Sequence, residues 1–285
     1  MKATDKFSIK RTALLIKQDI VGNIKSYSYG VLMIFLATLF ILLMTMAFFN
    51  LGNGGGRDFT PARMFSATIV NFMSGIFFYV MATRIFRNLQ LKEGRVSFFT
   101  LPALNVEKFI SRSIIYVLFA YIAFYAAALA ADLTKNIFVF IFHFDKSYYG
   151  MMSFVDFKTS FTFWEMISSE MGEYAGKLIY LSIASSLWMH SIYVLGGSFF
   201  RRHPFIKTTA ILFAAFIIFT IFLSHMMYDL MLICAQTVEE TSAVLNFSFL
   251  DYVNSIYDMV MGFFIIFTII HWVSAYKLFV RKEIV

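Results

Sequence analysis

The chain has 285 residues, of which 60% are hydrophobic and only 14% are charged, and its mean hydropathy is +0.74. A water-soluble protein of this size would lack the polar side chains needed to cover its surface, so the composition excludes an ordinary soluble enzyme or binding domain. The formal net charge is +7, and the single cysteine excludes an intrachain disulfide.

Residues 7–26 carry an amphipathic pattern. Ile16, Ile20 and Ile24 recur at helical spacing, whereas Lys17 falls on the opposite face. An apolar stripe flanked by lysines suits the headgroup boundary of an anionic leaflet, so we predict an interfacial helix. The alternative is a soluble helix that packs on a partner.

Six runs, each about 20 residues long, contain no Asp, Glu, Lys or Arg, and that is the length a helix needs to cross the hydrocarbon core. The sequence therefore predicts an all-α polytopic membrane protein with a single transmembrane domain, residues 1–285. The predicted spans cover residues 29–49, 64–83, 113–131, 178–200, 208–228 and 259–276.

The basic residues alternate between many and few from one connecting segment to the next. If the N-terminus is cytoplasmic, 18 of the 24 basic residues but only 5 of the 17 acidic residues lie on the inner side. Basic residues close to the spans set orientation, so both termini are predicted to be cytoplasmic. The outer side then contains two long segments, 132–177 and 229–257, whose role the sequence does not reveal.

The inner segment 84–112 has an apolar edge although it lies between two spans. Gly94 and Pro102 interrupt it, and Asn105 is placed to cap a new helix. Such a helix would suit docking of a cytoplasmic partner, or it would lie on the bilayer surface. The candidate docking residues are Leu101, Pro102, Leu104, Asn105, Glu107 and Lys108.

Few ionisable residues lie within the predicted spans, and their scarcity argues against chemistry there. His190, His225 and His271 are the exceptions, and Asp229 follows His225 at i+4. Each histidine is more readily explained by packing or hydrogen bonding than by catalysis. Neither a P-loop nor any other catalytic motif is present, and we expect no metal or cofactor.

The stretches 99–112 (FTLPALNVEKFISR) and 196–208 (GGSFFRRHPFIKT), together with the arrangement of the spans, resemble permease-like proteins of Bacteroides-type bacteria. The family is the permease subunits of type-2, exporter-like ATP-binding-cassette (ABC) transporters. The resemblance implies a subunit of the bacterial cytoplasmic (inner) membrane.

The same resemblance implies a division of labour between subunits. Residues 7–26 would be the connecting helix, and part of 84–112 would be the coupling helix, which docks on a separate ATPase subunit. A second permease copy or homologue would complete a dimer that moves a substrate, and uncharged spans suit a lipid-like or amphipathic one. A non-transport membrane scaffold or regulatory protein is the alternative, and an intramembrane enzyme is a third.

Overall fold

A computed structural model describes residues 6–52, 60–87, 92–142, 174–237 and 249–284, and these residues are almost entirely helical. The central part of the predicted outer segment 132–177, and residues 238–248 of the segment 229–257, lie outside the described residues. The helices, in chain order, are α1 (Ile9–Gly22), α2 (Ile24–Gly52), α3 (Thr60–Arg84), α4 (Lys92–Phe99), α5 (Asn105–Ser113), α6 (Ala120–Ile141), α7 (Tyr174–Phe199), α8 (Pro204–Thr237) and α9 (Phe249–Ile284).

Five of these helices are long and apolar enough to cross a membrane, which confirms a multi-pass helical membrane protein. The five candidate spans are Ile24–Phe48, Asn105–Ile141, Ile179–Phe199, Pro204–His225 and Ile256–Arg281. The predicted span 64–83 falls within α3, which has 25 residues but is not one of these five.

The third predicted span is too short, because α5 and α6 join into one continuous helix that runs to Ile141. The turn between them is a π-helical segment, Ile114–Phe119. The sequence prediction stopped at Ala131 because a charge follows. In the structure, Asp132 forms an ion pair with Lys135 one turn later, with 2.9 Å between Oδ1 and Nζ. This internal pairing allows the helix to continue through both charges.

Helix α7 is the centre of one half of the bundle, because it packs against α3, α8 and α9. Helix α2 packs along α6, and a cluster that includes Leu42, Val70 and Phe124 joins α2, α3 and α6. A second cluster lies where α3, α5 and α9 meet. There Phe109 and Phe279 have ring centroids 5.7 Å apart. This second cluster includes Phe109 and so packs against the segment 84–112, which contains the predicted docking residues.

Two backbones come close where α7 passes α3. A Cβ built on Gly197 would lie 2.7 Å from the carbonyl oxygen of Thr83, which no side chain tolerates without a shift of backbone. Small residues allow membrane helices to approach in this way. The contact fixes the end of α3 beside the end of α7.

Candidate functional site

The turn between α4 and α5 places the predicted docking residues at one corner of the protein. Helix α5 begins at Asn105, so this residue is the first helical residue and not the cap that the sequence suggested. Leu104, at the cap position, has no side-chain oxygen to offer. Glu107 instead supplies a hydrogen-bond acceptor at the start of the helix, because its Oε2 accepts the Leu104 backbone N–H at 3.1 Å.

Glu107 also receives donors from the N-terminal segment. Its carboxylate accepts the backbone N–H of Ser8 at 2.6 Å and the Arg11 Nη2 at 2.8 Å. The Arg11 Nε lies 3.1 Å from the second carboxylate oxygen. One carboxylate thus serves the start of α5 and the start of α1 together, and we call this arrangement the Glu107 clamp.

Although Glu107 is one of the predicted docking residues, its carboxylate is not accessible to a partner protein in this structure. Its side chain is 0% exposed, and Arg11 already supplies the charge partner. A carboxylate taken out of water needs such donors, which explains why it faces α1 rather than the surface. Hydrogen bonds to Glu107 raise the pKa of the Arg11 guanidinium, which strengthens the charged form.

A second ion pair joins the far end of α1 to the far end of α5. Arg112 Nη2 lies 3.0 Å from Asp19 Oδ1, and both side chains are mostly buried. The hydroxyl of Tyr27, in the first turn of α2, donates to Asp19 Oδ2 at 2.6 Å. Tyr27 also reaches the hydroxyl of Tyr116, in the π-helical segment, at 3.4 Å. Polar contacts therefore connect α1, α2, α5 and the π-helical segment.

Lys108 is also unavailable to a partner, contrary to expectation, because it is only 2% exposed. Its ammonium donates to the Phe99 carbonyl oxygen at 2.9 Å, at the last residue of α4. A cation is favourable beside the unsatisfied carbonyls at a helix C-terminus. The ammonium also lies 5.6 Å from the centroid of the Phe99 ring.

The residues that remain accessible lie at the tip of the turn. Pro102 and Val106 are exposed, whereas Leu101, Leu104 and Asn105 are half-buried. Leu101 packs against the aromatic cluster that contains Phe109. Of the six predicted docking residues, only Pro102 is exposed, and the sequence did not single out Val106. We refer to Pro102 and Val106 as the exposed tip.

Helix α1 has a different exposed face from the predicted one. Ile16 packs against the aromatic cluster and Ile20 is half-buried, so these two residues face the protein. Ile24 is exposed but is already the first residue of α2. The outward apolar residues are Leu14 and Val21, which are 56% and 64% exposed.

Lysines flank this outward face. Lys10 and Lys17 are both exposed beside Leu14 and Val21. The opposite face carries Arg11 and Asp19, which form the two ion pairs, together with Ile16, which packs against the aromatic cluster. An interfacial helix with a clamped inner face agrees with this distribution.

A small cavity of about 200 Å³ lies between α1, α4 and α5. Leu15, Asp19, Leu101 and Arg112 line it. It borders both residues of the ion pair between Asp19 on α1 and Arg112 on α5. Movement of α4 relative to α1 would therefore change the surroundings of the Asp19–Arg112 pair.

Two of the three histidines, His190 and His271, make packing or hydrogen-bonding contacts between helices. His190 is 2% exposed and stacks on Phe78, with 4.2 Å between ring centroids. His271 Nδ1 lies 2.9 Å from the Ser191 hydroxyl, so it joins α9 to α7. His225 is exposed on α8, and the Asp229 side chain lies outside the described residues. Within the described residues, no group of three or more His, Cys, Asp or Glu could hold a metal ion.

Comparisons of the chain with family models, with curated proteins and with solved structures found no match.

Proposed function

We propose that the chain is the membrane-spanning permease subunit of an exporter-like ABC transporter. Two such subunits would work with two copies of a separate ATPase and move a lipid-like or amphipathic substrate across the bacterial cytoplasmic membrane. The resemblance of residues 99–112 and 196–208 to permeases of this class is the starting point. In this proposal α3 also crosses the membrane, which brings the number of spans to six, and both termini are cytoplasmic.

The observation that carries the proposal is the connection between α5 and the N-terminal helices. An ATPase that pushed on the exposed tip would move α5, because Pro102 and Val106 lie at its start. The Glu107 clamp would carry that movement to α1, and the Arg112–Asp19–Tyr27 contacts would carry it to the start of α2. A π-helical segment adjoins these contacts, and such segments are frequent at functional sites.

The proposed dimer is supported by helix α8. Almost every residue between Pro204 and His225 is exposed, so nearly the whole circumference of this part of α8 faces outward. Ile211, Phe213 and Phe216 are among its large exposed side chains. Lipid alone can cover such a helix, and a second permease subunit is the occupant that the proposal assigns to part of it.

The test of the proposal is purification of the tagged full chain from its native membrane into nanodiscs. We expect a protein with a GxxxxGK[ST] motif to accompany it and to hydrolyse ATP, and mass spectrometry would identify that motif. A preparation that contains no such protein would leave the scaffold alternative in its place.

A further inference from the structure

A cavity of about 1,140 Å³ lies where α3 ends and where the turn between α7 and α8 begins. Two separate parts of the chain contribute basic side chains to its lining. Those side chains are Arg84 and Arg87 from the end of α3, and Arg201, Arg202 and His203 from the turn.

Backbone geometry brings these two basic segments together. The close approach of Gly197 to Thr83 fixes the end of α7 beside the end of α3, one residue before Arg84. The turn is tight because His203 has a φ of 51°, a left-handed conformation that is uncommon for residues other than glycine. Pro204 then begins α8 at once.

No described acidic residue in the lining of the cavity balances the positive charge of the four arginines. All four are exposed, and none of the described residues that line the cavity is acidic. None of the four forms an ion pair within the part of the chain that the structure describes. Guanidinium groups gathered around one cavity repel each other, so an anion between them would stabilise the arrangement. Arginine matches phosphate in particular, because its planar fork donates two parallel hydrogen bonds.

Most of the remaining lining is apolar and lies at the end of membrane-spanning helices. Val80, Phe205 and Ile206 line the cavity, and Ile206 is 63% exposed. The basic groups therefore sit beside the ends of the apolar spans Ile179–Phe199 and Pro204–His225. Basic pockets between membrane helices at this depth suit lipid headgroups.

We propose that this cavity binds the phosphate-bearing headgroup of an anionic membrane lipid. The arginines hold the phosphate, and the apolar rim contacts the first carbons of the acyl chains. The volume is comparable to that of pockets that hold whole small molecules, about 300–1,000 Å³, which favours a headgroup over a free phosphate ion. The proposal does not depend on the ABC transporter assignment.

The experiment uses the purified full chain in detergent, with native mass spectrometry to count bound phosphatidylglycerol against phosphatidylcholine. Arg84→Gln combined with Arg201→Gln removes one charge from each side of the cavity. At about 1 kcal/mol for each arginine near an anionic lipid, affinity for phosphatidylglycerol should fall about fivefold per residue and about 25-fold for both. Binding of phosphatidylcholine should stay weak in every variant.

The matched control is Lys277→Gln with Arg281→Gln, which removes the same charge from exposed positions near the end of α9. Its affinity for phosphatidylglycerol should change less than about twofold, because neither residue lines the cavity. An equal loss in the control, or no loss in the arginine variant, would overturn the site. Arg202→Gln is the substitute if the double variant does not fold, and it should show the fivefold loss alone.

A competition arm separates the two sources of phosphate. Inorganic phosphate at millimolar concentration should not displace phosphatidylglycerol, because it makes no contact with the apolar rim. Displacement by inorganic phosphate as effective as displacement by a second anionic lipid would overturn the headgroup assignment.

Discussion

Gly197 on α7 and Thr83 on α3 bring the backbones of their helices into direct contact. A Cβ added to Gly197 would lie 2.7 Å from the Thr83 carbonyl oxygen and 2.8 Å from the Thr83 Cα. Because the contact is backbone, no side chain can rotate away to make room. This contact aligns the two basic helix ends that face the cavity at the α7–α8 turn.

Gly197→Ala should therefore destabilise the protein by about 1–3 kcal/mol, the cost of overpacking a tight helix contact. Gly262→Ala on α9 is the matched control, because nothing lies within 4 Å of the added Cβ. The control should be neutral, or stabilising by up to about 1 kcal/mol, since alanine favours a helix. Thermal unfolding in detergent measures both, and equal midpoints for the two variants would refute the close contact.

The Glu107 clamp should behave as one coupled unit. Glu107→Gln should lower stability by about 2 kcal/mol, because a buried charge-assisted network is broken. Arg11→Gln should cost less, since the Arg11 side chain is 27% exposed. The double variant should fall short of the sum by at least about 0.5 kcal/mol. Lys10→Gln, at an exposed neighbour, should stay within about 0.5 kcal/mol of the wild type. Chemical unfolding in detergent measures all four variants, and strict additivity of the two clamp substitutions would contradict the contact.

The orientation of the chain is tested by reporter fusions. Fusions after Gly55, Ser153 and Val244 should report the outer side, whereas fusions after Gly94, His203 and Val285 should report the cytoplasm. Gly94 is the decisive position, because it returns to the cytoplasm only if α3 crosses the membrane. An outer signal at Gly94 would contradict the proposal that α3 crosses the membrane.

The exposed face of α1 should contact lipid. Spin labels at Leu14 and Val21 should collide with oxygen, which is soluble in lipid, more often than with a water-soluble nickel reagent. A label at Ile16, which packs against the aromatic cluster, should be shielded from both. High nickel accessibility at Leu14 and Val21 would favour the soluble-helix alternative.

The sequence predicted the class of fold because long uncharged runs have few interpretations other than membrane helices. It also predicted that a new helix starts near Asn105, and α5 begins at that residue. Span ends were harder to place, since a charge such as Asp132 indicates a boundary until its partner Lys135 is counted.

The contacts of the candidate site were beyond a single sequence. Glu107 and Arg11 are 96 positions apart, and no local pattern connects them. The sequence pattern favoured Glu107 as a surface group because most carboxylates are exposed. The close approach at Gly197 had one signal, a glycine pair near the end of a span, which is typical of tight helix contacts in membranes.

The central claim is that a separate ATPase engages the exposed tip of α5. The most direct measurement is the amount of P-loop ATPase that co-purifies with Val106→Arg in native nanodiscs, relative to the wild type. Leu14→Arg is the control, because it makes the same kind of change at an exposed apolar residue of α1. We predict that Val106→Arg loses at least about tenfold of the bound ATPase, since a charge at a small docking contact removes one of its few anchors. Leu14→Arg should retain the ATPase, and both variants should insert normally. Equal retention by Val106→Arg and the wild type would contradict coupling through this tip.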